Sequence, residues 1–148
     1  MSGAYSFIDT QASFISDEGK FNIGYGAGIA EEGITVAMAG NKNTMTIGAD
    51  GEGVHSLHAD NSGTVTIRLL KNSPANAKLM NVYNAQKSNS KKWGKATITI
   101  NHTGSGDNYT ATKCAFQKAP DYTNPKTAPI VEWVFDAIKI NAKLGTYE

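Results

Sequence analysis

The sequence predicts a mainly β domain, an antiparallel β-barrel or sandwich with one flanking α-helix, and three observations carry that prediction. Apolar and polar residues alternate with a period of two along most of the chain. Clusters of Gly, Asn and Ser separate the alternating runs. A single segment, about residues 73 to 86, replaces the alternation with helical spacing.

Taken in order, Ile34, Val36 and Met38 share one face of the first clear run, and Met45 and Ile47 share one face of the next. Gly40-Asn41-Lys42-Asn43 joins the two as a turn. Asn61-Ser62-Gly63 leads into TVTIRLL, where Val65, Ile67 and Leu69 point to a buried face and Thr64, Thr66 and Arg68 to a polar one. Ser73-Pro74 is an N-cap followed by a first helical position, and Ala75, Leu79, Val82 and Tyr83 form an apolar stripe up to about Gln86.

Lys87 to Lys92 is a polar loop, after which Ile98 and Ile100 oppose Thr97 and Thr99. Gly104-Ser105-Gly106-Asp107 closes a hairpin between residues 95 to 103 and 108 to 118. Pro120, Pro125 and Pro129 punctuate a second loop, and Val131, Trp133, Phe135 and Ala137 share a face of the final strand. The arrangement predicts a succession of antiparallel neighbours. No repeat or shift in composition divides the chain, so residues 1 to 148 are expected to form one domain.

Composition narrows the function classes. A chain of 148 residues buries roughly 70% of its unfolded surface on folding, enough for a real core. With 14 basic and 13 acidic side chains the net charge is +1, so nothing global draws the chain to DNA or to an anionic membrane. Cys114 is the sole cysteine, which excludes an internal disulfide. The N-terminal residues lack signal-peptide blocks and no apolar run reaches spanning length, so synthesis in the cytoplasm without a membrane anchor is expected.

The stretch FNIGYGAGIAEEGITV raises the question of a phosphate loop at Gly24, Gly26, Gly28 and Gly33. Neither nucleotide-binding spacing is met: Ile29 stands where a third glycine is needed, no lysine follows, and a β-like run comes next instead of a helix. His55 and His58 would share one face of a helix and bind a metal there, but Gly51 and Gly53 argue for a loop. Asp50 and Glu52 flank a turn glycine without the separation that glycoside hydrolysis needs across a cleft. Cys114 could pair with His102 as nucleophile and base, but a lone cysteine in a β-run reads as a small core residue. Lysines 87, 91, 92 and 95 around Trp93 suit either single-stranded nucleic acid or a solvated loop. No catalytic constellation, cofactor or metal is expected, so the chain reads as one that binds or builds. A ligand-binding β-domain using Trp93, Trp133 and surface tyrosines for carbohydrate is the alternative from another class.

The stretch GITVAMAGNKNTMTIGADGEGVHSLHADNSGTVTIRLLKNSPANAKLMNVYNAQ, flanked by YSFIDTQASF, GYGAGIAEEGI and EWVFDAIKINAKLGTY, resembles the tail tube proteins of contractile-tailed bacteriophages. The resemblance covers nearly the whole chain. It implies a fold related to type VI secretion tube proteins and a structural virion protein, not an enzyme. Its hexameric rings would stack into a hollow tube inside a contractile sheath, with DNA passing through the lumen without specific binding. The implied partners are further copies of the chain, the tail sheath, the tape measure, and baseplate and terminator proteins. A tube from a tailocin or a type VI-like machine fits the same residues.

On that reading Thr64, Thr66, Thr97 and Thr99 line the lumen, and Arg68 on the same face needs an acidic neighbour, sought across the subunit boundary. The stretch from Gly48 to Gly63 is read as a long ordered loop making inter-subunit contacts through Glu52, Val54, His55, Leu57 and His58. Gly26 and the neighbouring Glu31 are placed at a second joint between subunits, where close backbone approach leaves no room for a Cβ.

Overall fold

A computed structural model describes residues 9–24, 29–122 and 130–145. Strands β1 (Thr10–Ser16), β2 (Gly19–Asn22) and β3 (Ile29–Met38) precede a pair formed by β4 (Asn43–Ile47) and β5 (Gly53–Leu57). Strand β6 (Gly63–Leu70) leads into helix α1 (Pro74–Lys87), and β7 (Ala96–His102), β8 (Asp107–Phe116) and β9 (Ile130–Lys143) complete the chain.

Seven strands form one antiparallel sheet in the order β2-β1-β7-β8-β9-β6-β3, and β4 and β5 form a separate two-stranded sheet. Among the described residues the large sheet does not close into a barrel, so the sandwich-like form of the expectation is the one observed: sheet on one side, helix on the other. The simple succession of antiparallel neighbours is corrected. Strand β3 pairs with β6 and not with β4, and β1 pairs with β7 across most of the chain's length.

The core lies between the sheet and α1. Trp133, Phe135, Val65, Ile67, Leu69 and Phe14 are 0–1% exposed and pack with Leu79 and Val82 of the helix. Cross-strand register explains the stacking, because Phe135 faces Val65 on one side and Phe116 on the other. The Phe116 and Phe135 ring centroids are 4.8 Å apart, and Phe14 sits 5.5 Å from Phe135. Rings at these separations add about 0.5–1.5 kcal/mol per pair beyond burial.

The helix starts where the sequence places it. Ser73 accepts a hydrogen bond from the Ala75 amide at 3.2 Å and Pro74 follows at the first helical position. Asn76, one turn in, receives the indole N–H of Trp133 on its Oδ1 at 2.9 Å and donates its amide to the Leu70 carbonyl at 2.8 Å. One side chain thereby ties the helix to β9 and to the end of β6.

Two backbone details escaped the sequence reading. Between Ala96 and Ile98 the β7–β8 register slips by one residue, and Lys113 takes φ 53°, a β-bulge. The bulge turns both Ala111 and Cys114, three apart, toward the core. Gly33 adopts φ 68° where the β3–β6 register also shifts, a conformation that costs glycine little.

Candidate assembly surfaces

Strands β4 and β5 project from the body as an arm. They pair only with each other and every residue in both is exposed. Met45 and Ile47, read from alternation as a buried face, are 60% and 55% exposed. Alternation marks a strand with two unlike faces, but it does not say what covers the apolar one. The stretch read as a loop from Gly48 to Gly63 holds the second strand of this arm; a tight turn at its tip connects the two, where Asp50 accepts from the Glu52 amide at 3.1 Å.

The arm's register sorts its residues. Met45 opposes His55, Asn43 opposes Leu57 and Ile47 opposes Gly53, so Met45, Ile47, Leu57 and His55 share one face. Ile47 folds over Gly53, where a Cβ would lie 2.8 Å from its Cδ1. Val54 lies on the other face with Thr44, Thr46 and Ser56. Leu57 is 86% exposed, which makes this an apolar stripe with no cover among the described residues.

His55 and His58 do not converge on a metal. Nδ1 of His55 meets the Asn43 side chain at 3.0 Å, and Nε2 of His58 meets the Thr44 hydroxyl. Among the described residues no three His, Cys, Asp or Glu side chains gather to hold an ion. Asp60, beside the arm, is held below the usual carboxylate range, first by hydrogen bonds from Ser62.

The threonine face is the face of the large sheet away from α1. Thr64, Thr66, Arg68, Thr97 and Thr99 are half-buried, while their neighbours Val65, Ile67 and Ile98 point into the core. Register continues the polar surface across the sheet: Thr66 faces Thr35, and Thr99 lies between Ser13 and Thr110. Arg68 has its acid inside the chain and not across a boundary: Glu132 lies 3.3 Å away and Thr35 accepts from the guanidinium at 2.9 Å.

Strands β2 and β3 end the large sheet, each with one partner strand. The backbone of Glu31 belongs to β3, while its side chain and the whole of Gly26 and Gly28 lie outside the described residues. Gly24 is described, and its tight contact is within the chain: a Cβ there would meet the Ala12 amide nitrogen at 2.6 Å and the Thr10 carbonyl at 3.1 Å. Close approach of backbones is therefore real at the start of the glycine stretch, against β1 of the same chain.

The remaining chemical candidates separate in space. Cys114 pairs with Ala96 at one end of the β7–β8 ladder and His102 with Asp107 at the other, roughly 20 Å apart at the rise of a strand. Cys114 is fully buried, and desolvation pushes its thiol up to about 12. Trp133 is 1% exposed, so the carbohydrate alternative loses one of its two platforms. No described helix is long and apolar enough to cross a membrane.

Known proteins carry the same architecture. A chain of an extracellular contractile injection system, the PVC sheath-tube complex in its extended state, aligns over 95% of this chain and 92% of its own with a TM-score of 0.62 at 12% identity. The PVC sheath/tube terminator gives 0.62 at 13% identity over 95% and 96%, and a chain of the anti-feeding prophage baseplate gives 0.54 at 11% identity over 97% and 93%. No curated protein matches the chain in sequence. The family model described as "Bacteriophage PhiTE tail tube protein" matches residues 1–145, so this chain belongs to that family of structural tube proteins and is not an enzyme.

Proposed function

We propose that the chain, as one tube domain over residues 1 to 148, forms hexameric rings that stack into the inner tube of a contractile phage tail. The tube is the conduit for DNA ejection. The observation that carries this reading is the β4–β5 arm, whose apolar stripe of Met45, Ile47 and Leu57 has no cover among the described residues. A neighbouring subunit is the natural cover, with Glu52, Val54, His55 and His58 contributing at the same joint.

The two open sheet edges support lateral contact. Joining β2 of one subunit to β3 of the next would extend the seven-stranded sheet around a ring and satisfy both rows of edge groups. Glu31 lies in β3 and Gly26 precedes it in sequence, at that lateral joint. The threonine face then lines the lumen, since the helix occupies the other side of the sheet. Hydroxyls keep such a lumen wet, and with Arg68 paired to Glu132 the named lumen residues offer DNA no unpaired cation.

The six-fold symmetrised baseplate among the structural neighbours supports six subunits per ring. The sheath, terminator and baseplate assemblies in which the neighbours occur support equivalent partners here, together with a tape measure inside the growing tube. The protein would then be made in the host cytoplasm and end in the virion. Negative-stain microscopy of the purified protein tests the proposal: rings or tubes with six-fold end views support it, and persistent monomers at high concentration overturn it.

A further inference from the structure

No acidic residue occurs between Asp60 and Asp107, a stretch that carries Arg68 and six lysines. In a chain of net charge +1 this is a strong segregation, and folding concentrates it. Lys78, Lys87, Lys91, Lys92 and Lys95 are all exposed on α1 and the loop behind it, and none has an acidic partner among the described residues. Lys87 rests on the Tyr83 ring at 5.2 Å, a cation–π contact that leaves the ammonium available to a carboxylate.

The C-terminal end of α1 also holds a recess of about 360 Å³ lined by Gln86, Lys87, Ser90 and Trp93. Gln86 is 1% exposed, and its Oε1 has no hydrogen-bond partner among the described residues. A buried acceptor without a donor is unfavourable, and an arriving N–H would satisfy it. Trp93 is 37% exposed and braced from behind by Tyr83 and Phe116, so its outer surface is a rigid apolar platform. Glu18 and Lys78 line a separate recess.

We propose that this recess and its lysines dock an acidic segment of a second protein that coats the outside of the tube. Carboxylates meet Lys87, Lys91 and Lys92, an aliphatic side chain lies on Trp93, and a backbone N–H donates to Gln86. The choice of a protein over a nucleic acid rests on the tube reading, because α1 lies on the side of the sheet away from the threonine-lined lumen.

The test uses a fluorescein-labelled peptide of glutamates interrupted by leucines, followed by fluorescence anisotropy, with oligothymidylate in parallel. The peptide should bind and weaken about 10-fold as NaCl rises from about 50 to about 200 mM. The triple variant Lys87→Glu, Lys91→Glu, Lys92→Glu, which alters only exposed side chains, should weaken binding about 10-fold or more. Gln86→Leu should weaken the peptide a few-fold while leaving the unfolding midpoint equal or higher, a combination that a purely structural glutamine would not produce.

Absence of peptide binding, tighter binding of oligothymidylate, or a triple variant that binds normally would overturn the site. Tubes of the unsubstituted protein, viewed by microscopy, keep the two proposals apart. Intact tubes with no peptide bound defeat the docking site alone, whereas peptide binding by a protein that never assembles supports the site and defeats the tube.

Discussion

Arg68 Nε lies 3.3 Å from Glu132 Oε2, and the two residues oppose each other directly in the β6–β9 register. The pair is partly exposed, with side-chain accessibilities of 24% and 55%, so its value lies in neutralising a cation more than in stability. On the threonine face that distinction has a functional consequence.

Glu132→Ala should change unfolding free energy by less than about 1 kcal/mol, as for other exposed pairs. It leaves an uncompensated guanidinium on every subunit. Tubes of the variant should then retain more short DNA than wild-type tubes in a co-sedimentation assay at low salt, and the excess should be released as salt rises. Equal behaviour of the two would remove Arg68 from the lumen.

Leu57→Asp places a charge in the arm's exposed apolar stripe without touching the core. The monomer should keep its circular dichroism and its unfolding midpoint within about 0.5 kcal/mol, as surface substitutions do. Sedimentation velocity should show loss of the rings and tubes formed by the parent. A variant that polymerises normally would show that the arm is not a joint.

Asn76→Leu removes the acceptor of the buried Trp133 indole N–H and the donor to the Leu70 carbonyl. Leaving a buried donor unsatisfied should cost about 1–3 kcal/mol in urea unfolding. Trp133→Phe removes the N–H but also opens a cavity in the core, so the double variant should lose less than the sum of the two single losses. Additive losses in the double variant would mean that the hydrogen bond contributes little.

Cys114 gives a pH-dependent prediction. Burial raises its thiol from an ordinary 9.0 to about 12, so the folded state favours the neutral form. The stability this confers is complete below pH 9 and falls away as pH climbs through 9 toward 12. Cys114→Ala should flatten the alkaline side of the stability profile. At pH 8 the native thiol should resist iodoacetamide until urea unfolds the chain, and rapid labelling of native protein would contradict its burial.

Much of this was legible in the residues. The N-cap at Ser73, the helix to Gln86 or Lys87, the β7–β8 hairpin and the inward face of β9 all follow from local pattern. The bulge at Lys113 was not, because the two polar residues Thr112 and Lys113 interrupt TATKCAF without saying whether the strand ends or bulges, and only the register against β7 shows the extra residue. Nor was the arm, although GADGEG between TMTI and VHSL is a sound hairpin signal. The mistake lay in expecting an alternating strand to find its cover within its own chain.

What the sequence determined by itself is the set of elements and the two faces of each. Period-two alternation, a capping serine and a proline at the helix start act over a few residues, and no distant partner is needed to express them. What only the tertiary structure decided is which face meets what. Pairing β1 with β7 and β6 with β9 joins residues far apart along the chain, and that ladder alone brought Glu132 to Arg68. It also left Met45, Ile47 and Leu57 uncovered. Burial depends on the whole packed assembly of strands, and an apolar stripe carries no mark of whether its cover is its own helix or another copy of the chain.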